Sequence, residues 1–159
     1  MKEIELRFSV NSFDGIRKKL IELGAEIIKR KKDNDWYFRH HLDGDRSVVR
    51  IRNWKKLTVK AGEEGRWDEE EIEFFADKQT ILNFLNLMGF HKVLTITKLR
   101  EQWRLGKFEI NLDDVEGLGK FLEIEGGNWE NIENLAMELG VNSNPMREGY
   151  VRLLERKKD

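Results

Sequence analysis

Carboxylates and cations recur at alternate positions along this chain. Glu3, Glu5 and Arg7 alternate with Ile4, Leu6 and Phe8, and Arg50 and Arg52 flank Ile51. Lys98 and Arg100 are two apart, as are Glu71 and Glu73, and Glu123 and Glu125. A period of two belongs to a β-strand, whose successive side chains point to opposite faces, so most of these segments carry one ionic and one apolar face. Clustered carboxylates are the ligands that a hard divalent cation such as Mg2+ or Mn2+ takes, whereas guanidinium and ammonium groups grip phosphate oxygens. Both sets together fit a metal-bound polyphosphate. The competing interpretation is a solvated, charge-rich surface: 37% of the residues are charged, against about 25% in ordinary globular domains, a bias also found in heat-adapted proteins.

The elements that must position these groups follow in order. After the first strand, NSFDGIRKKLIELG reads as a one-faced helix with Asn11 or Ser12 as its cap, Phe13, Ile16, Leu20 and Leu23 on the apolar face, and Gly24 as the stop. DWYFRH, SVVRIRN and KLTVKAG are three strands of an antiparallel meander, with LDGD (42–45) as turn material. EEEIEFF is a strand and DKQTILNFLNLMG a helix; TITKLREQWRL and KFEINLDDV form a hairpin around Gly106. GKFLEIEG is the last strand, NWENIENLAMELG a helix, and a final helix starts at the only proline, Pro145. Glu-Ile-Glu occurs three times, each copy followed by a helix that closes on glycine (Gly24, Gly89, Gly140), which suggests a strand-then-helix unit used three times.

The helices cover the apolar strand faces, so the ionic faces turn toward one another. A twisted sheet of about eight strands tends to curl or close. The expected fold class is therefore α+β: a single domain over residues 1–159, an eight-stranded, mainly antiparallel β-barrel with flanking α-helices and a lumen lined by acids and bases.

Composition narrows the function further. There is no cysteine, hence no disulfide and no thiolate metal site or nucleophile, and no apolar run approaches the roughly 20 residues of a membrane span. The chain is expected to be cytoplasmic, without signal peptide or membrane anchor. A net charge of −1 gives no global field for nucleic acid, and the basic runs at 17–19 and 29–32 are expected to be solvated surface. EEGRWDEEE (63–71) also reads as surface, and His40, His41 and His91 lack metal-ligand spacing. A homodimer is left open.

The strand Glu-x-Glu-x-basic, DWYF, RIR, LTVK, EIE, KLREQW and, most specifically, LDDVEGLGKFLEIE resemble in order the CYTH family, which includes class IV adenylyl cyclases, thiamine triphosphatases and inorganic triphosphatases built as triphosphate tunnels. The resemblance implies that Glu3, Glu5, Glu123 and Glu125, with Asp113 near them, hold a divalent metal (Mg2+ or Mn2+). It implies that Arg7, Arg50, Arg52, Lys60, Lys98 and Arg100 bind the triphosphate, with Arg7, Arg50 and Arg52 closest to the chemistry. The substrate class is ATP, thiamine triphosphate or inorganic triphosphate. Two departures stand out: Arg7 replaces the usual lysine, a permanent cation in place of one that can lose a proton, and Glu69 stands where an arginine is common, with Arg66 as the candidate to compensate. Conversion of ATP to cyclic AMP and pyrophosphate ranks slightly above hydrolysis of a terminal phosphate, with a non-catalytic nucleotide- or polyphosphate-binding module as the third reading. Tyr37, Trp36, Phe38 and Trp103 are the candidates to stack on a base.

Overall fold

The computed structural model of the protein describes residues 2–42, 47–63 and 65–158, so the LDGD turn, apart from Leu42, lies outside the described residues. Eight strands and four helices follow one another as β1 (Lys2–Val10), α1 (Asp14–Glu22), β2 (Glu26–His40), β3 (Ser47–Arg52), β4 (Lys56–Glu63), β5 (Arg66–Glu73), α2 (Lys78–Leu87), β6 (Phe90–Leu105), β7 (Phe108–Val115), β8 (Gly119–Glu125), α3 (Trp129–Glu138) and α4 (Tyr150–Lys158). The strands close into a barrel in the order β1-β5-β4-β3-β2-β6-β7-β8, with every neighbouring pair antiparallel. Closure gives the ionic faces an interior to line.

The strand-then-helix unit is realised three times, as β1–α1, β5–α2 and β8–α3. Asp77 and Asn128 cap α2 and α3, accepting from the backbone N–H groups of Thr80 and Asn131 at 2.9 and 2.8 Å. α1 differs from expectation: Phe13 occupies the N-cap with no side-chain cap bond, and Ser12 Oγ accepts from the Asp14 N–H at 3.3 Å. Phe13 instead faces the core, where its ring is buried. The closing glycines Gly24, Gly89 and Gly140 sit at φ of +81°, +86° and +80°, the left-handed conformation that ends a helix.

Of the element boundaries that depart from the sequence reading, three bear on the site. β2 begins at Glu26 and absorbs the basic run at 29–32, because it pairs with β6 from Glu26↔Arg104 to His40↔Phe90 and its polar side chains alternate between the lumen and the outside. β5 begins at Arg66 and buries Trp67, so the acidic 63–71 stretch is largely strand. α4 begins at Tyr150, not Pro145, because Met146 bridges Arg7 of β1 through both backbone groups, which ties that segment to the strand.

The largest core lies outside the barrel. Leu6, Phe8, Ile110, Leu112, Leu122 and Ile124 of the strands meet Ile16 and Leu20 of α1 and Ile132, Leu135 and Leu139 at α3. A second cluster packs Phe38, Val49 and Ile51 against Leu85 of α2. The third is inside: Leu94, Ile96, Val115 and Phe121 surround Tyr150, the first residue of α4. Leu94 and Ile96 share their strand face with Lys98 and Arg100. The lumen therefore changes from apolar under α4 to ionic beyond it. Among the described residues no helix is long and apolar enough to cross a membrane.

Candidate active site

The ionic stretch of the lumen encloses a cavity of about 330 Å3, and every metal- or phosphate-binding residue expected from the sequence lines it except Asp113. The barrel register explains the convergence. Arg7 faces Glu123 across β1–β8, Asp35 faces Arg52 across β2–β3, and Arg100 faces Asp113 across β6–β7. Opposite charges thus meet as direct cross-strand partners, the favourable arrangement. Among the carboxylates one corner breaks this pattern, Glu125 facing Glu5 on one side and Glu109 on the other, and among the cations Lys31 faces Arg100 and Arg52 faces Lys56.

That corner is the candidate metal centre. Carboxylate oxygens of Glu3, Glu5 and Glu125 lie within 4.8 Å of one another. Burial pushes the Glu3 carboxyl up to about 7, with Lys60 opposing and Glu69 adding to the rise. Burial, followed by the charges of Glu3, Glu5, Glu109 and Glu123, pushes Glu125 up to about 8. Three oxygen donors that repel one another unless a cation joins them fit a hard divalent ion. The sign of the linkage follows. Both groups bind protons in the fold at pH values where the unfolded chain has released them, so the metal-free protein loses stability as pH rises from the ordinary carboxylate range through about 7 to 8. Thermal melts between about pH 6 and pH 9 in chelator should show the midpoint falling, and saturating Mg2+ should flatten the slope. A slope unchanged by Mg2+ would remove the cation from this corner.

The other two predicted metal ligands are differently engaged. Asp113 accepts from Arg100 Nε and Nη2 at 2.7 and 2.6 Å and from the Tyr150 hydroxyl at 2.6 Å. Glu123 accepts from Arg100 Nη2 at 3.0 Å and Asn111 Nδ2 at 3.1 Å, and pairs with Arg7 Nη2 at 2.9 Å. Burial works against the Glu123 charge, but Arg100 and Arg7 override it and hold the carboxyl well below its usual range. In this geometry the two carboxylates orient arginines.

The cations form the facing wall. Asp35, fully buried, accepts from Arg52 Nε and Nη2 at 2.8 and 2.7 Å and from Lys98 Nζ at 3.0 Å. Lys60 Nζ lies 3.2 Å from Glu3 and 2.8 Å from Glu69. Arg50 Nη2 donates to Thr58 Oγ1 at 3.1 Å. Among the described residues the Nε atoms of Arg7 and Arg50 are buried without a hydrogen-bond acceptor. An unspent guanidinium donor beside a cavity suits an oxyanion.

Sequence reasoning missed several lining residues: Lys29, Lys31, Lys56, Glu69, Gln102, Glu109 and Tyr150. Lys29, Lys31, Asp33 and Asp35 share one parity, so the alternation would have found the two lysines had β2 been extended backward. Tyr150 carried no periodic signal. Of the expected stacking residues only Tyr37 reaches the cavity. Trp36 packs outside on Trp54 at 4.9 Å, and Phe38 and Trp103 are core. Tyr37, Val48, Trp67 and Tyr150 line a recess of about 80 Å3 beside the cavity. Arg66 is exposed, over the Trp129 ring at 6.0 Å, and does not replace an arginine at Glu69. His40 and His41 stack on each other at 5.0 Å and, with His91, stay outside the cavity lining.

A closed antiparallel barrel with acids and bases facing one another across its lumen defines a class, and the CYTH domain profile matches residues 1–147. The chain belongs to the CYTH domain family. A candidate adenylate cyclase of Methanocaldococcus jannaschii is 33% identical over 135 residues, covering 79% of this chain and 77% of the relative. The adenylate cyclase CyaB of Aeromonas hydrophila is 26% identical over 130 residues, 77% of this chain and 67% of the relative. Among solved structures, the PH1819 protein of Pyrococcus horikoshii OT3 superimposes with a TM-score of 0.79 at 31% identity, covering 98% of this chain and 99% of that one.

Proposed function

We propose that the protein is a metal-dependent enzyme acting on a triphosphate, of the adenylyl cyclase type in its reaction. The observation that carries this reading is the single 330 Å3 cavity that joins the Glu3, Glu5 and Glu125 corner to the cationic wall. The names of the Methanocaldococcus and Aeromonas relatives support a cyclase.

In that reaction the ribose 3′-hydroxyl attacks the α-phosphorus of ATP and pyrophosphate leaves. A divalent cation held by Glu3, Glu5 and Glu125 would neutralise phosphate charge and polarise phosphoryl oxygens. Arg50, Arg52, Lys60, Lys98 and Arg100 bind and align the chain of phosphates, and their charges stabilise the oxygens on which negative charge grows. Arg7, set between Glu5 and Glu123, adds a fixed cation. Asp35, Asp113 and Glu123 keep the guanidinium planes oriented, so little reorganisation accompanies the reaction.

A second reading, attack of water on a terminal phosphorus, draws support from the size of the aromatic recess. At about 80 Å3 it is small beside the roughly 300–1,000 Å3 of ordinary ligand pockets. ATP, thiamine triphosphate and inorganic triphosphate, assayed side by side with Mg2+ or Mn2+, separate the readings. Cyclic AMP and pyrophosphate from ATP are the expected products. Orthophosphate instead would establish hydrolysis, and binding without turnover would leave a polyphosphate-binding module.

A further inference from the structure

The cations of the lumen differ in how their charges are balanced. Arg52 takes both oxygens of Asp35 and lies 3.5 Å from Asp33. Arg100 takes both oxygens of Asp113 and one of Glu123. Arg7 sits between Glu5 and Glu123, and Lys60 between Glu3 and Glu69. Among the described residues Lys98 has one ion pair, to the Asp35 oxygen that Arg52 Nη2 already engages. Yet Lys98 is only 2% exposed.

The elements around it contribute charged or titratable groups: Asp33, its cross-strand partner, and Asp35 from β2, Arg52 from β3, Arg100 from its own strand, Asp113 from β7, Glu123 from β8, and Tyr150 of α4, whose ring centroid is 5.8 Å from Nζ. Burial first, then Arg100 and Arg52, outweigh Asp35 and Asp113 and bring the Lys98 ammonium down to about 8. Arginines keep their protons at any working pH. At Lys60, Glu5, Glu3 and Glu69 outweigh burial and hold the ammonium well above its ordinary value. Lys31 is lowered too, by burial first, but it is partly exposed and has Asp33 at 3.6 Å.

We propose that Lys98 is the proton donor of the lumen: it is fully charged once a polyphosphate anion adds its charge beside it, and it passes that proton to the oxygen that leaves phosphorus. This rests on the enzymatic reading above. As the bond between phosphorus and the leaving oxygen breaks, the electron pair stays on that oxygen. The proton moves there from Nζ, leaving a neutral amine that regains a proton from water, while the proton of the attacking hydroxyl goes to solvent. Arg7, on the first strand, is a permanent cation and cannot cycle a proton.

Two measurements test this on the full chain. Lysine side-chain NMR in chelator, assigned by comparison with Lys98→Arg, should show one resonance titrating between about pH 7 and pH 9, well below the ordinary lysine value. Inorganic tripolyphosphate should move that titration upward by about one pH unit or more. Lys98 remaining charged through about pH 10 in the free protein overturns the proposal, and this arm needs no variant to be active. With Mg2+ and the productive triphosphate, Lys98→Arg should lower kcat by about 10²–10⁴-fold and remove the alkaline limb of its pH profile, with KM nearly unchanged. An active wild type with an equally active Lys98→Arg overturns the donor role alone, whereas a wild type inert toward every triphosphate overturns the enzymatic reading on which it rests.

Discussion

Glu125→Gln should make the metal-free protein more stable and the enzyme nearly inactive. The two effects have one cause. Glu125 faces Glu5 and Glu109 as cross-strand partners, and burial with those like charges raises its carboxyl to about 8. Near pH 9 the group is ionised at a cost to the fold, and an amide removes that cost, so the chelator-treated variant should melt above the wild type. The same change takes one donor from the three-carboxylate corner. At Mg2+ about 100-fold above its Kd, the wild type gains about 2.7 kcal/mol, roughly 5–10 °C in Tm for a chain of this size. The variant should gain little. Turnover should fall on the order of 10²-fold or more, since several kcal/mol of charge stabilisation depend on the cation and each 1.4 kcal/mol or so is tenfold. Melts in chelator and in Mg2+, with turnover on the same samples, read all three quantities. A variant that keeps the Mg2+ response would move the metal site elsewhere in the lumen.

The contrast between Glu125 and Glu123 shows where sequence reading stops. Both lie on one face of β8, two residues apart, and alternation assigns both to the lumen. What separates them is register. Glu123 lies between Arg7 and Asn111, and Glu125 between Glu5 and Glu109. Register between strands distant in the chain is fixed by closure of the whole barrel, which no single segment encodes. The eight strands, the three strand-then-helix units and the ionic lumen were readable because each rests on local periodicity and a glycine stop. Lys29 and Lys31 were not, because a run of four basic residues reads as solvated surface until β6 is seen to pair along it. Tyr150 was unreadable for another reason. Its place in the lumen depends on the Arg7–Met146 bridge that carries the chain back across the barrel, a contact between residues at opposite ends of the sequence.

Glu123→Ala should behave in the opposite sense to Glu125→Gln. The Glu123 carboxylate is buried and spends its oxygens on Arg100, Asn111 and Arg7. Its loss takes one of two carboxylate partners from each of Arg7 and Arg100, which keep Glu5 and Asp113, a change that costs about 1.5–3 kcal/mol, or roughly 3–12 °C in Tm. The cost should depend on pH. Although burial opposes ionisation, Arg100 and Arg7 keep the folded carboxyl well below its unfolded value, so its stabilisation is complete above about pH 4–5 and is lost as pH falls through the folded value. The gap between wild type and variant should therefore be widest near neutrality and close in acid. Because Glu3, Glu5 and Glu125 remain, Mg2+ should still raise the melting temperature of the folded variant. Affinity for tripolyphosphate should drop, since Arg7 and Arg100 each lose one of the two carboxylates that aim them. Denaturant unfolding across pH, with and without Mg2+, measures each term. An Mg2+ response lost in Glu123→Ala but kept in Glu125→Gln would reverse the division between metal-holding and arginine-holding carboxylates.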